Sequence, residues 1–195
     1  MLRILFIITF IFSTLSVNAQ ISKEHLEVGE KAPTIIGVDQ NGKAINSLEI
    51  LEEKQIMLVF YRGNWCPYCR KHLKSLQENL EEFTKKGVYV IVVTPEVTDK
   101  TTETTEKLNA TFSIIYDKDN KIMNDYKVAF EVNETNVVKY FNFTKKKVEK
   151  YNDKDNDVLP VPATYLINKD CKISYVQYDT DYTNRSDFKE ILKSL

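Results

Sequence analysis

The chain has 195 residues, 27 Lys and Arg against 28 Asp and Glu, a formal net charge of −1 and 43% hydrophobic residues. Charge this close to neutral, with both signs interspersed, offers no basic stripe for a phosphate backbone and excludes nucleic acid as the expected partner. The length suits one domain with a full core rather than two, and three cysteines are too few to staple a small disulfide scaffold.

The first nineteen residues have the pattern of an export signal: Arg3, an apolar stretch from Ile4 to Val17, then Val17-Asn18-Ala19. A membrane span needs roughly 20 predominantly apolar residues, and Thr9, Ser13, Thr14 and Ser16 interrupt this run. A cleavable signal over 1–19 is therefore expected, with cleavage before Gln20 and no stable membrane anchor. The mature protein is expected to be exported, either periplasmic or secreted. Residues 20–30 form a polar lead-in, and 31–195 a single domain.

Asp39-Gln40-Asn41-Gly42-Lys43 predicts a tight hairpin turn, since Asn-Gly accepts the positive φ such turns demand. Gln55 to Tyr61 is unbroken and apolar, as expected of a strand buried on both faces. The helix after it stops near Lys85-Lys86-Gly87, basic residues followed by glycine. Val88 to Val93 is a second buried strand, so strand, helix, strand forms a parallel crossover unit. Lys100 to Ala110 predicts a helix weakened by threonines, and Thr111 to Tyr116 a short strand. Asp117-Lys118-Asp119-Asn120 caps a helix carrying Ile122, Met123 and Tyr126. Residues 134–157 read as an insertion: Val137, Val138, Phe141 and Val148 mark an amphipathic helix, and Lys150 to Asp157 a charged loop. Ala163 to Ile167 and Lys172 to Tyr178 form a hairpin, and Ser186 to Leu195 a closing helix.

The chemistry concentrates at Trp65-Cys66-Pro67-Tyr68-Cys69, where the first buried strand meets the long helix. The first turn of a helix has N–H groups without intrahelical partners and the positive end of the macrodipole, both of which favour a thiolate. Pro67 suits the first helical position, where a missing N–H costs nothing. Cys69, Leu73, Leu76, Leu80 and Phe83 recur at helical spacing, so Cys69 belongs to the inward stripe and Cys66 should be the exposed sulfur. Arg70 and His72 lie within a turn of the sulfurs and could lower a thiol pKa, or could simply belong to a solvated face. Trp65 is either a hydrophobic wall beside the dithiol or core packing.

Phe60-Tyr61-Arg62-Gly63-Asn64-Trp65-Cys66-Pro67-Tyr68-Cys69-Arg70, with Gly29-Glu30-Lys31-Ala32-Pro33 before it and Asp181-Tyr182-Thr183-Asn184-Arg185 after it, resembles the alkyl hydroperoxide reductase and thiol-specific antioxidant family. The resemblance covers residues 28–195 and implies an α/β thioredoxin-like fold, a central mixed β-sheet flanked by helices. It also implies that Val161-Pro162 lies beside the dithiol with a cis Pro162 bond, the backbone of Val161 being free to pair with a bound peptide or thiol. The family's peroxide pocket is not recovered. A proline seven residues and a threonine three residues before the reactive cysteine would fall on Arg62 and Cys66 counting from Cys69, or on Val59 and Gly63 counting from Cys66. Arg62 is the one nearby candidate for polarising a peroxide.

Thiol-disulfide exchange by Cys66 and Cys69 needs no such pocket and is the leading expectation: Cys66 attacks, Cys69 resolves. A thiol peroxidase passing through a sulfenic acid on one of the two sulfurs is the alternative. A metal site on Cys66, Cys69 and His72 would have three ligands where structural zinc needs four, and a binding module with an incidental disulfide is the last option. The expected site is thus Cys66 and Cys69 as catalytic residues, supported by Arg62, Trp65, Pro67, Arg70, Val161 and Pro162, with no metal and no cofactor beyond the pair's own disulfide. Expected partners are protein or small-molecule thiols and disulfides, hydroperoxides under the alternative, and a thiol electron donor. Cys171 follows a strand that starts beside the site and runs about eight residues, roughly 25 Å, too far for it to resolve a disulfide.

Overall fold

A computed structural model describes residues 25–132 and 141–195. The proposed signal and its cleavage site lie outside these residues, as do Val137 and Val138. Five strands build the central sheet: β3 (Gln55–Phe60), β4 (Val88–Thr94), β5 (Ser113–Tyr116), β8 (Ala163–Ile167) and β9 (Ile173–Tyr178). Their order is β5-β4-β3-β8-β9, with β3, β4 and β5 mutually parallel and β8 and β9 antiparallel to their neighbours.

The unbroken apolar runs of β3 and β4 follow from this placement, because both strands are covered on both faces. Side chains alternate along a strand, so Met57, Val59 and Tyr61 enter one core with Leu73, Leu76 and Phe83 of α2 (Pro67–Lys85). Phe188 and Ile191 of α6 (Phe188–Ser194) complete that layer. Ile56, Leu58 and Phe60 enter the opposite core. There they meet Ile35, Ile45, Leu51 of α1 (Ser47–Leu51) and Ile122 and Met123 of α4 (Lys121–Asp125). Gly87, at φ 74°, ends α2 in the left-handed region open to glycine.

Several boundaries move. The hairpin of β1 (Ile36–Val38) and β2 (Ala44–Asn46) closes through the whole of 39–43 rather than a two-residue turn, because the Asp39 carboxylate accepts from the N–H groups of Asn41 and Lys43. The threonine-rich helix α3 spans Thr98–Leu108. Asp117 caps α4 as expected, its two oxygens accepting from Ile122 and Met123 N–H. Helix α5 spans Phe141–Tyr151, so Lys150 ends a helix instead of opening a loop. The small antiparallel pair β6 (Ala129–Glu131) and β7 (Val158–Pro160) has no counterpart in the sequence reading. Among the described residues no helix is long and apolar enough to cross a membrane.

Candidate active site

Parallel strands β3 and β4 end on the same edge of the sheet, and the chain leaving each supplies one side of the site. After β3, Tyr61 to Trp65 lead to Cys66, which is the N-cap of α2 with extended backbone (φ −85°, ψ 116°), and Pro67 takes the first helical position. The Cys66 carbonyl accepts from Arg70 N–H at 3.1 Å, starting the helix beneath the sulfur. Gly63 stands at φ 148°, and a Cβ there would fall 2.4 Å from Trp65 Nε1 and 2.8 Å from Glu96 Oε1. Only glycine lets the strand turn into the helix with the indole folded back over it.

Both sulfurs of the dithiol face inward: Cys66 is 2% exposed and Cys69 1%. The expectation of an open Cys66 is corrected. Cys66 lines a slot of about 250 Å³ together with Arg62, Trp65, Pro67, Tyr68, Phe143, Thr144 and Tyr182. Residues from α5 and from the loop after β9 wall in a position that the local helix pattern leaves free.

The two sulfurs are electrostatically unlike. A hydrogen bond from the Cys69 thiol, with the Arg62 and Arg185 guanidinium charges, brings Cys66 down to about 6 against the opposing effect of burial. Burial raises Cys69 well above the ordinary thiol value, and its bond to Cys66 and the Cys66 charge add to this. Arg62, 6% exposed, stacks between the rings of Trp65 (5.0 Å) and Tyr182 (4.5 Å), with Nε unbonded. Trp65 therefore serves core and slot at once: its ring packs among buried residues and meets Phe143 edge-on at 6.5 Å.

Arg70 and His72 do not reach the sulfurs as charges. Arg70 Nη1 donates to the Asn64 carbonyl at 2.6 Å, bracing the loop before Cys66. His72 is buried, stacked on Phe188 and bonded through Nε2 to Ser186 Oγ at 3.0 Å. Burial and the Arg185 charge hold it down at about 3, so it is neutral near pH 7.

The register Phe60↔Ala163 sets Val161-Pro162 beside the end of β3, the strand that leads to the dithiol. The cis bond is not found: no cis peptide occurs among the described residues. Two residues join β7 to β8, and trans is the intrinsically favoured form of the bond. The Val161 N–H already donates to the Val128 carbonyl at 2.7 Å, so it is not free for a bound peptide. Cys171 lies in the β8–β9 turn, past the end of β8 that is farther from the site.

Besides the slot walls Phe143, Thr144 and Tyr182, two charged residues at the site escaped the sequence reading. Glu96, buried directly after β4, accepts from Tyr61 Oη and from Asn64 N–H, both at 2.8 Å. Burial pushes it up to about 7 against those two bonds, and the Cys69 charge adds to the rise. An acid two residues past an apolar parallel strand, at the carboxyl end of the sheet where sites gather, was the available signal. Arg185, which the sequence offers only within the family-like string Asp181 to Arg185, places Nη2 3.6 Å from Cys69 Sγ.

A dithiol at a helix start, on a mixed sheet flanked by helices, defines a thioredoxin-fold thiol oxidoreductase. The family model described as AhpC/TSA matches residues 28–176, and the chain belongs to that family. It is 27% identical over 152 residues to the thiol-disulfide oxidoreductase ResA of Bacillus thuringiensis (strain Al Hakam), covering 77% of this chain and 69% of that protein. To the putative peroxiredoxin bcp of Coxiella burnetii it is 29% identical over 108 residues, 55% of this chain and 71% of that one. The crystal structure of peroxidoxin BcpB from Mycobacterium tuberculosis superposes with a TM-score of 0.66 at 15% identity, covering 87% of this chain and 96% of that chain, a likeness of fold. An oxidoreductase of the thiol-disulfide or peroxiredoxin type is what family and relatives indicate.

Proposed function

We propose that the protein is an exported thiol-disulfide oxidoreductase cycling Cys66 and Cys69 between dithiol and disulfide, with no cofactor beyond that pair. The contrast between an acidic Cys66 and a protonated Cys69 within hydrogen-bonding reach of it carries the reading. Cys66 thiolate attacks one sulfur of a substrate disulfide, and the other substrate sulfur leaves with the bonding pair and takes up a proton. Cys69 then loses its proton and attacks Cys66, expelling the second substrate sulfur. Two electrons have passed to the substrate, and a thiol donor restores the dithiol. Glu96, held near neutrality by burial and close enough to Cys69 to sense its charge, is suited to accept the Cys69 proton. The slot admits a small thiol or an extended segment to Cys66 and is too confined for a flat protein face. Export rests on the pattern of residues 1–19.

A small disulfide and a dithiol reductant test this. Cys66→Ser should abolish turnover and Cys69→Ser should accumulate a mixed disulfide on Cys66; full activity in Cys66→Ser would defeat the reading. Arg62 and Arg185, both within electrostatic reach of Cys66, favour a second one. Two cations beside a thiolate can polarise a hydroperoxide, giving sulfenic acid on one cysteine and then the same disulfide. Peroxide consumption by the reduced protein no faster than by free cysteine would remove this alternative.

A further inference from the structure

In the exchange cycle the second nucleophile is the less favourable sulfur. Cys69 is buried, and the charged and titratable groups around it come from four directions. Cys66 caps its own helix, and neutral His72 lies one turn on. Glu96 approaches from the end of β4, and from the end of β3 the Arg62 backbone N–H, rather than its guanidinium, favours the Cys69 thiolate. Arg185 comes from the loop after β9. Of the cations, Arg185 has its nitrogen on the sulfur: Nη2 stands 3.6 Å from Cys69 Sγ, within hydrogen-bonding range for sulfur.

This contact is held from both sides. Arg185 Nη1 donates to the Asn184 carbonyl at 2.8 Å, and Asn184 Nδ2 donates to Asp179 Oδ2 at 2.9 Å. The next residue, Ser186, is hydrogen-bonded to His72 Nε2 at 3.0 Å and to Thr164 Oγ1 at 2.8 Å. His72 lies three residues after Cys69 on α2, so one buried bond ties the helix that carries the sulfur to the loop that carries the guanidinium. Neutral His72 keeps that bond free of any charge change near neutral pH.

We propose that Arg185 is a catalytic residue of the resolving step, stabilising from its place against Cys69 Sγ the thiolate that attacks the Cys66 sulfur of the mixed disulfide. The proposal rests on the exchange reading above. While Cys66 is a free thiolate, it takes the Cys69 hydrogen bond and its charge opposes a second thiolate. Once Cys66 is bonded to substrate sulfur it carries no charge, and the Arg185 field acts on Cys69 alone. The Cys69 proton leaves to Glu96 or solvent, the Cys66–Cys69 bond forms, and the bond from Cys66 to the substrate sulfur breaks. That sulfur departs with the electron pair and is protonated.

Dithiodipyridine, a disulfide uncharged at neutral pH, separates the two steps, since coloured thiopyridone is released once by Cys66 attack and once by Cys69 resolution. The experiment uses the Cys171→Ser background to silence the third thiol, at about pH 8, where Cys66 is ionised. In Arg185→Gln the first release should stay within about twofold of its parent while the second slows about tenfold or more, with its pH midpoint moved upward. Arg185→Lys should recover part of the loss. A second release at the parental rate and midpoint in both variants overturns the proposal. So does an equal slowing of both releases with a lowered Tm, which would make Arg185 a purely structural residue. In Cys66→Ser a single thiopyridone released by the remaining Cys69 at the rate of the parental first release would instead defeat the exchange reading, and this proposal with it.

Discussion

The Tyr61 hydroxyl donates to Glu96 Oε2 at 2.8 Å while the Asn64 N–H donates to the other oxygen. One carboxylate thereby clamps the end of β3 and the approach to Cys66 onto the end of β4. Tyr61 remains a neutral donor, because burial and the Glu96 charge raise it well above the usual phenol value.

Glu96→Gln should preserve this clamp, its carbonyl accepting from Asn64 and its amide donating to the Tyr61 oxygen, while removing the titration. Burial raises Glu96 from 4.5 to about 7, so between these values the folded state holds the extra proton. Its contribution to stability is full below pH 4.5 and is lost as pH rises through about 7, at up to about 1.4 kcal/mol per pH unit. Denaturant unfolding across that window should show wild type losing stability relative to Glu96→Gln as pH rises. Parallel curves would mean that Glu96 does not titrate there.

Iodoacetamide reactivity of Cys66 should rise with a midpoint near 6 in the wild-type protein. The largest cause of that low value is the hydrogen bond from Cys69, so Cys69→Ala should move the midpoint up, while Cys69→Ser, which keeps a donor, should move it less. Equal midpoints in the three proteins would assign the acidity to the helix terminus and the arginines instead.

Gly63→Ala places a methyl group against the Trp65 indole and Glu96 at a backbone angle that side chains rarely adopt. A loss of about 2 kcal/mol or more is expected, read as a Tm lower by roughly 4 °C or more. An unchanged Tm would show that the indole moves aside freely.

Phe143 is 55% exposed and closes the slot edge-on to Trp65. Phe143→Ala should raise the rate at which a bulky maleimide alkylates Cys66 several-fold, with stability changed by less than about 1 kcal/mol. No increase would mean that access to Cys66 is limited elsewhere.

Strands β3 and β4, the dithiol helix with its glycine stop, and the β8–β9 hairpin were legible because each signal is local: continuous apolar runs, helical spacing of Cys69, Leu73, Leu76 and Phe83, and turn residues. The β6–β7 pair was not, since three-residue strands carry too few alternations to show a period. The Tyr182 and Arg185 string could be matched to a family, yet nothing in its pattern says which sulfur it meets.

From its residues alone, then, this chain specified two cysteines at the start of a helix behind a buried strand, because capping and periodicity act within a few residues of backbone. What the folded chain decided was the state of those cysteines. Phe143, Tyr182 and Arg185 come from segments far along the chain, and they wall the slot at Cys66 and reach Cys69 only when α5 and the loop after β9 come to the start of α2. Burial and charge, which set thiol acidity, depend on distance through space, and residue order does not encode that distance.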